Sequence, residues 1–198
     1  VQENITLREK LDESFRMVDT NTFIQKDSLF KYIGARVIRN TINRQKNYIF
    51  INKGSKHGIR PDMGVIASEG VVGTVVEVSE NYSRIMSVLH NQNKISARIK
   101  KNRHLGNMEW DGTSYQFGTL TDIPNHVKLF IGDTIVTSGN SLLFPEGIII
   151  GTVQNYQTNN QEKFSNASVK YSVDFNSLYY VYIIVNMMQE ELNSFEEK

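Results

Sequence analysis

One pattern that occurs twice constrains the fold of this chain more than any other feature. Residues 132–153 read GDTIVTSGNSLLFPEGIIIGTV, and a shorter version, GVIASEGVVGTV, occupies residues 64–75. Each copy has an apolar run, a turn with serine and glycine, a second apolar run and a final Gly-Thr-Val. Short apolar runs around glycine turns are typical of two strands joined by a tight connection. The repetition therefore predicts two similar β units in one chain.

Length and composition set the limits within which these units fold. The chain has 198 residues, 39% of them hydrophobic, which suits one large domain or two small ones with modest cores. Cysteine is absent, which excludes disulfide frameworks, thiolate metal sites and cysteine nucleophiles. No run of about 18 apolar residues occurs. Because the sequence opens on VQENITLREKL, without a methionine or a signal peptide, we expect that a targeting segment has been left out.

The N-terminal region, residues 1–32, predicts an amphipathic helix. Four apolar residues recur at spacings of four, four and three and share one helical face; they are Leu7, Leu11, Phe15 and Val18. Glycine and proline are absent until Gly34. The apolar stripe is narrow, and two interpretations stay open. The helix is either the end of a dimeric coiled coil, in which these four residues pack across a two-fold axis, or a helix docked on its own β domain.

From Gly34 onwards the pattern is that of strands separated by short turns. Residues 48–52 (YIFIN) are apolar on both faces, as in a strand between two packed layers. Residues 94–100 and 167–173 alternate between apolar and polar, which predicts one face in a core and one in solvent. Residues 180–185 form a final apolar run that fits the closure of either β unit. Many short strands with regular turns are typical of small barrels or sandwiches, so we predict an all-β fold after the helix.

The boundary between the two β units is predicted near residues 103–107, where a basic run ends. This boundary divides the chain into four segments. They are a helix over residues 1–32, a first β subdomain over 33–105, a second over 106–188, and an acidic tail over 189–198.

Charge is unevenly distributed along the chain, although the net charge is only +1. Residues 31–60 carry eight basic residues and no acidic one, and residues 94–103 carry five more. Two solvated basic strand faces explain this pattern, and so does an anionic partner. One alternative is a β-barrel that binds single-stranded nucleic acid, with Tyr32, Tyr48 and Phe50 as base-stacking platforms. Tyr48 and Phe50 share a face of an apolar strand, which favours a core position for both.

A second alternative is a two-barrel serine hydrolase that uses Ser138. His57, Asp111 and Ser138 follow the chain order of a chymotrypsin-like triad. The segment around Ser138 is explained more simply as a hairpin connection, because its counterpart at residues 68–70 carries no partner chemistry. A separate S-x-x-K pattern, from Ser28 to Lys31, is not followed by K-T-G and does not support an acyl-enzyme site.

Metal and cofactor sites have little support in the sequence. The four histidines are isolated from one another along the chain; they are His57, His90, His104 and His126. Neither an H-x-x-x-H pair nor a cysteine accompanies them, so we predict no metal site. The GVVG segment at residues 70–73 lacks a lysine and opens a strand, which argues against a phosphate cradle.

Several motifs together resemble one family. In chain order they include ARVI at residues 35–38, INKGSKHGIRPDMGV at 51–65, GVVGTVVEVS at 70–79, SRIMSVLH at 83–90 and VDFNSL at 173–178. With the segment at 132–153, they resemble the rod shape-determining MreC family over about three quarters of the chain. WDG at 110–112 and IPNHV at 123–127 most resemble its Bacteroidota branch.

The resemblance implies a bitopic protein with one transmembrane helix, a coiled coil and two six-stranded β-barrels on the periplasmic side of the inner membrane. It implies no enzyme activity, no cofactor and no nucleic-acid partner. Members of the family act as scaffolds of the peptidoglycan elongation machinery and form homodimers or larger self-assemblies. They bind an elongation-specific penicillin-binding protein and work with MreD, RodA and the actin-like MreB. The membrane helix and most of the coiled coil are absent from this chain.

Overall fold

The computed structural model describes residues 29–157 and 164–188 of the chain. Two compact units are distinguished by their internal contacts. Tyr32–Val185 form the larger unit, and Val1–Lys31 with Asn186–Lys198 form the smaller one. Of the smaller unit only a few residues are described, and within it the backbone N–H of Met187 donates to the carbonyl of Leu29 at 2.8 Å.

The described residues form twelve strands in two closed barrels. The first barrel contains β1 (Phe30–Asn40), β2 (Lys46–Ile51), β3 (Gly64–Ala67), β4 (Gly70–Val78), β5 (Ser83–His90) and β12 (Tyr180–Asn186). Its strand order is β1-β12-β3-β4-β5-β2. The second barrel contains β6 (Lys94–Ile99), β7 (Leu105–Glu109), β8 (Phe117–Pro124), β9 (Thr134–Thr137), β10 (Ile149–Gln157) and β11 (Phe164–Tyr171). Its order is β10-β11-β8-β7-β6-β9. The expected pair of six-stranded barrels is confirmed.

The strand orders show that two six-stranded repeats exchange their last strands. In cyclic order the first barrel runs β3-β4-β5-β2-β1 and is closed by β12. The second runs β9-β10-β11-β8-β7 and is closed by β6. Each strand of β1–β5 therefore has a counterpart six strands later, whereas β6 and β12 have changed places. Each repeat completes the barrel of the other.

This exchange corrects the predicted subdomains at two strands. A division at residues 105 and 106 assigns β6 to the first barrel and β12 to the second, and the strand order places each in the other barrel. The predicted boundary instead coincides with the boundary between the two repeats, β1–β6 and β7–β12. Alternating patterns identify a strand and its buried face, but they do not specify which open barrel it closes. The final apolar run therefore returns to the first barrel.

Matching β-bulges confirm that one hairpin design occurs twice. Between β3 and β4, Val65 pairs with Gly73 and Ile66 with Val71, so that one extra residue is inserted in β4. Between β9 and β10, Ile135 pairs with Gly151 and Val136 with Ile149, which inserts one extra residue at the same place. A bulge bends its strand and increases the local twist, as closure of a small barrel requires.

Each barrel encloses a core made by the inward faces of its strands. In the first barrel the buried residues include Ile49, Ile51, Val65, Val75, Ile85, Leu89, Val181 and Ile183. In the second they include Ile95, Ala97, Ile99, Met108, Leu120, Ile135, Val153 and Val169. Burial of one such branched side chain stabilises the fold by about 2 kcal/mol. The predicted alternation of residues 94–100 and 167–173 is thereby confirmed.

Two other predictions are corrected or fall outside the described residues. The predicted helix over residues 1–32 is wrong at its end, because β1 begins at Phe30, where aromatic and β-branched side chains favour a strand. Leu7, Leu11, Phe15 and Val18 lie outside the described residues, as does the acidic tail over 189–198.

Strand β2 was predicted to be buried on both faces, and this is wrong. Its residues alternate, so that Tyr48 and Phe50 face outwards while Ile49 and Ile51 face the core. The reason is that a single closed sheet has no second layer outside it to cover those rings.

Candidate functional site

The two copies of the repeated hairpin lie against each other where the barrels meet. A Cβ atom on Gly64 would lie 2.2 Å from the carbonyl oxygen of Leu143. One on Gly70 would lie 2.3 Å from the carbonyl oxygen of Ile149. Both glycines belong to the β3–β4 hairpin, and their neighbours belong to the β9–β10 hairpin. Because only glycine allows backbones to approach so closely, these two positions fix the contact between the barrels.

Ser138 serves the contact between β6 and β9 rather than a catalytic triad. Its side chain is buried, its hydroxyl lies 2.8 Å from the hydroxyl of Ser96, and it accepts a hydrogen bond from the N–H of Asn140 at 3.1 Å. His57 instead accepts from the N–H of Gly54, and Asp111 from the following turn. Within the described residues, neither is a hydrogen-bonding partner of Ser138, so no base is placed to activate its hydroxyl.

Two of the histidines that are distant in sequence meet in the structure. The rings of His104 and His126 are arranged edge to face, with centroids 6.0 Å apart. His90 is fully buried, and its Nε2 lies 3.1 Å from the hydroxyl of Tyr48. Burial, together with the charge of Lys46, lowers the pKa of His90. In the part of the chain that the structure describes, no group of three or more metal-ligating side chains is present.

On the outside of the first barrel, arginine side chains lie over two aromatic rings of the basic stretch at residues 31–60. Across β1, β2 and β5, Arg39 pairs with Phe50 and Phe50 with Arg84. The guanidinium of Arg84 lies 4.6 Å from the ring centre of Tyr48, and that of Arg39 lies 5.6 Å from the ring centre of Phe50. Two of the three proposed base-stacking platforms, Tyr48 and Phe50, are therefore already covered by arginines through cation–π contacts, while the third, Tyr32, is 43% exposed.

An apolar pair of residues is exposed at one end of the second barrel. Phe130 and Ile131 are 52% and 68% exposed, and the ammonium of Lys101 lies 4.9 Å from the ring centre of Phe130. The loops at 100–104 and 126–131, which we call the distal loop cluster, also carry Lys100, Arg103 and Lys128. Neighbouring exposed apolar residues rimmed by charge are typical of an interaction surface.

The position of the distal loop cluster follows from the strand directions. Strands β6 and β8 end in the cluster, and β7 and β9 begin there. The hairpin loop that contacts the first barrel joins the opposite ends of β9 and β10. The cluster is therefore at the opposite end of these strands from the hairpin turn, and its Arg103 side chain extends to within 3.5 Å of Glu146 in the hairpin loop. This surface was not predicted from the sequence, although the adjacent Phe130 and Ile131, between Lys128 and a Gly-Asp turn, were a signal for it.

In comparisons with known proteins, a single family matches the sequence of both barrels. A family model described as "Rod shape-determining protein MreC, barrel core" matches residues 37–185. Cell shape-determining protein MreC of Listeria monocytogenes is 26% identical, over 92% of this chain and 68% of that protein. The protein of the same name from Escherichia coli is 25% identical, over 92% of this chain and 47% of that protein. The chain thus spans about two thirds of one relative and about half of the other.

Solved structures of MreC proteins have the same fold. One described as MreC matches with a TM-score of 0.78 at 21% identity and covers 93% of this chain and 98% of that one. The "major periplasmic domain from the cell shape-determining filament MreC" matches with a TM-score of 0.68 at 21% identity. The match covers 80% of this chain and 97% of that one. A chain from a complex between penicillin-binding protein PBP2 and MreC from Helicobacter pylori matches with a TM-score of 0.65 at 16% identity. The match covers 79% of this chain and 98% of that one. At these identities the likeness establishes the shared fold.

Proposed function

The chain belongs to the MreC family of rod shape-determining proteins, and from this premise we propose that it is part of a scaffold for cell elongation. The observation that carries the proposal is the extent of the family match, residues 37–185, which takes in both closed barrels. The relatives are named for cell-shape determination, and the chain is not an enzyme. Because the chain spans 47% of the Escherichia coli relative, the activity of the whole protein is part of the proposal.

The barrels are placed, in this proposal, on the periplasmic side of the inner membrane and held there by a single-pass anchor upstream of the sequence. The periplasmic domain of a solved MreC, with a TM-score of 0.68, supports the location. Among the described residues, none belongs to a helix long and apolar enough to cross a bilayer.

The proposed partner is the penicillin-binding protein of the elongation machinery, which also includes MreD, RodA and MreB. The complex of PBP2 with the Helicobacter pylori MreC supports a partner of this class. Two closed barrels leave no free sheet edge for strand addition, so a partner of the described barrels binds to faces or loops. We assign the contact to the distal loop cluster, because its apolar pair is exposed.

Self-association is assigned to the N-terminal segment. Leu7, Leu11, Phe15 and Val18 would pack across a two-fold axis as the last turns of a parallel coiled coil. Four apolar positions support only a weak dimer, because short isolated helices are marginal in water. The full coiled coil is therefore needed for a stable dimer.

Binding to the transpeptidase tests the proposal. The protein is prepared with its native upstream residues and titrated against the elongation-specific penicillin-binding protein of the same organism. Saturable binding is expected, together with a dimer in sedimentation experiments. A folded dimer of the complete protein that does not bind at any concentration reached would overturn the proposed partner.

A further inference from the structure

A groove lies on the outside of the second barrel and is lined mainly by uncharged polar and aromatic side chains. It runs over β8, β11 and β10 and has a volume of about 520 Å³. Most of its lining is hydroxyl, amide or aromatic, and its single formal charge is Asp111. The volume lies within the roughly 300–1,000 Å³ of small-ligand sites.

The floor of the groove is a row of short polar side chains. Thr119 on β8 pairs with Ser168 on β11, which in turn pairs with Asn155 on β10. Within the described part of the chain, the hydroxyls of Thr119 and Ser168 and the amide of Asn166 form no side-chain hydrogen bond. These donors and acceptors lie side by side on adjacent strands, where they can be shared by one bound molecule.

Aromatic rings and one carboxylate complete the groove. Phe117 and Tyr156 both line it, and Tyr156 is 40% exposed. Asp111 accepts hydrogen bonds from the N–H and the hydroxyl of Thr113 through Oδ1, at 2.9 and 2.7 Å. Its Oδ2 forms no further hydrogen bond to a described residue. The carboxylate is thereby oriented and still has an oxygen for a ligand hydroxyl.

We propose that this groove binds a short uncharged oligosaccharide, with a preference for sugars that carry acetamido groups. Sugar rings present C–H faces, which pack on aromatic rings, and hydroxyl edges, which pair with hydroxyl, amide and carboxylate side chains. The amides of Asn155 and Asn166, on neighbouring strands, suit an acetamido group. A lining with one negative charge and no positive charge disfavours nucleic acid and acidic peptides. This site is separate from the proposed protein contact and does not depend on it.

The chain contains its own reporter for this site. Trp110 is the only tryptophan, and its indole N–H donates to the carbonyl of Ser114 at 2.7 Å. Ser114 lines the groove, while Trp110 is buried behind it. A ligand that contacts the groove at Ser114 therefore changes the environment, and with it the fluorescence, of Trp110.

The experiment titrates the protein with tetra-N-acetylchitotetraose, and in parallel with cellotetraose, while Trp110 fluorescence and backbone amide NMR shifts are recorded. We expect a saturable change in Trp110 fluorescence and saturable amide shifts confined to residues of the groove. Binding should be tighter with the acetamido sugar than with cellotetraose. Ser168→Ala, which leaves the barrel core untouched, should weaken binding about fivefold through one lost hydrogen bond. Tyr156→Ala should weaken it about tenfold through lost stacking. Thr74→Ala, a half-buried threonine on the first barrel, is the matched control and should bind as the wild type does.

Three outcomes would overturn the proposal. The first is the absence of any change with either sugar up to about 10 mM, roughly ten times the concentration that half-saturates a site with a Kd of about 1 mM. The second is binding that Ser168→Ala and Tyr156→Ala leave unchanged in folded protein. The third is a set of shifted amides that lies outside the groove.

Discussion

Gly73 of β4 and Gly151 of β10 occupy equivalent places in the two barrels. A Cβ atom on either would lie 2.1 Å from a carbonyl oxygen of the next strand, that of Met86 in the first barrel and that of Lys170 in the second. Each glycine also stands at the bulge of its hairpin. The same steric restriction thus recurs at the Gly-Thr-Val end of both copies of the sequence pattern.

The first prediction concerns these two glycines. Gly73→Ala and Gly151→Ala should each lower the free energy of unfolding by about 2–4 kcal/mol, because a methyl group there must displace a backbone carbonyl. Gly34→Ala is the control, since its nearest neighbour is a ring atom of Tyr182 at an ordinary 3.6 Å. Urea unfolding followed by circular dichroism measures all three. Equal stability of Gly151→Ala and Gly34→Ala would contradict the steric argument.

The second prediction concerns the exchanged strands. A protein truncated after residue 172 lacks β12 and should lose the first barrel, while the second barrel keeps all six of its strands. Hydrogen exchange should show protected amides in β6–β11 and unprotected ones in β1–β5, because the open barrel exposes its core. Trp110, which lies between β7 and β8, should keep its native fluorescence. A fragment of residues 29–105 that folds into a closed barrel would show that the exchange is not required.

The third prediction concerns pH. Burial and the charge of Lys46 lower the pKa of His90 below its ordinary value of 6.5 in the folded protein. Its Nδ1 also accepts a hydrogen bond from the N–H of Gln92 at 3.1 Å, a bond that protonation would break. As the pH falls, His90 is therefore protonated in the unfolded chain at a higher pH than in the folded one. The stability contributed by neutral His90 is complete above pH 6.5 and is lost as the pH falls below that value.

Unfolding measured in urea from pH 8 to pH 5 tests this dependence. The free energy of unfolding should fall with pH in the wild type, and the part of that slope contributed by His90 should be missing in His90→Gln, because glutamine is uncharged at every pH. It should persist in the control His126→Gln, because His126 is exposed. A pH profile that His90→Gln leaves unchanged would refute the assignment.

The fourth prediction concerns Ser138. Ser138→Ala should reduce stability by about 1 kcal/mol, because it removes the hydrogen bonds to Ser96 and to the N–H of Asn140. A fluorophosphonate probe should label neither the wild type nor this variant, since no base among the described residues is hydrogen-bonded to the hydroxyl. Labelling of the wild type that is lost in Ser138→Ala would revive the hydrolase interpretation.

The sequence supports predictions of features that depend on neighbouring residues. The hairpins were predictable because glycine turns and apolar runs are local, and Gly73 and Gly151 mark their ends. The exchange of β6 and β12 was not predictable, because both strands present a similar alternating face. The strands with which each one pairs are set by contacts far along the chain. Tyr48 and Phe50 were misplaced since aromatic residues covered by arginines have the same pattern as core residues.

Surface features were predicted least well. Thr119, Asn155 and Ser168 come from three strands, and each alone is an ordinary polar residue, half-buried in the case of Thr119 and Ser168 and exposed in the case of Asn155. Only the strand pairing brings them into one row. Phe130 and Ile131 were visible as an apolar pair, but their exposure depends on the end of the barrel at which the loop lies.

The central claim is that this MreC-family chain acts through protein contacts at the distal loop cluster. The most direct test compares binding of the elongation penicillin-binding protein to the wild type, to the double variant Phe130→Ser and Ile131→Ser, and to Tyr82→Ser. Tyr82 is 53% exposed on the first barrel and serves as the matched control. The account predicts a loss of roughly 2 kcal/mol, about thirtyfold in Kd, for the double variant and no loss for Tyr82→Ser. Equal affinity of all three folded proteins would contradict it.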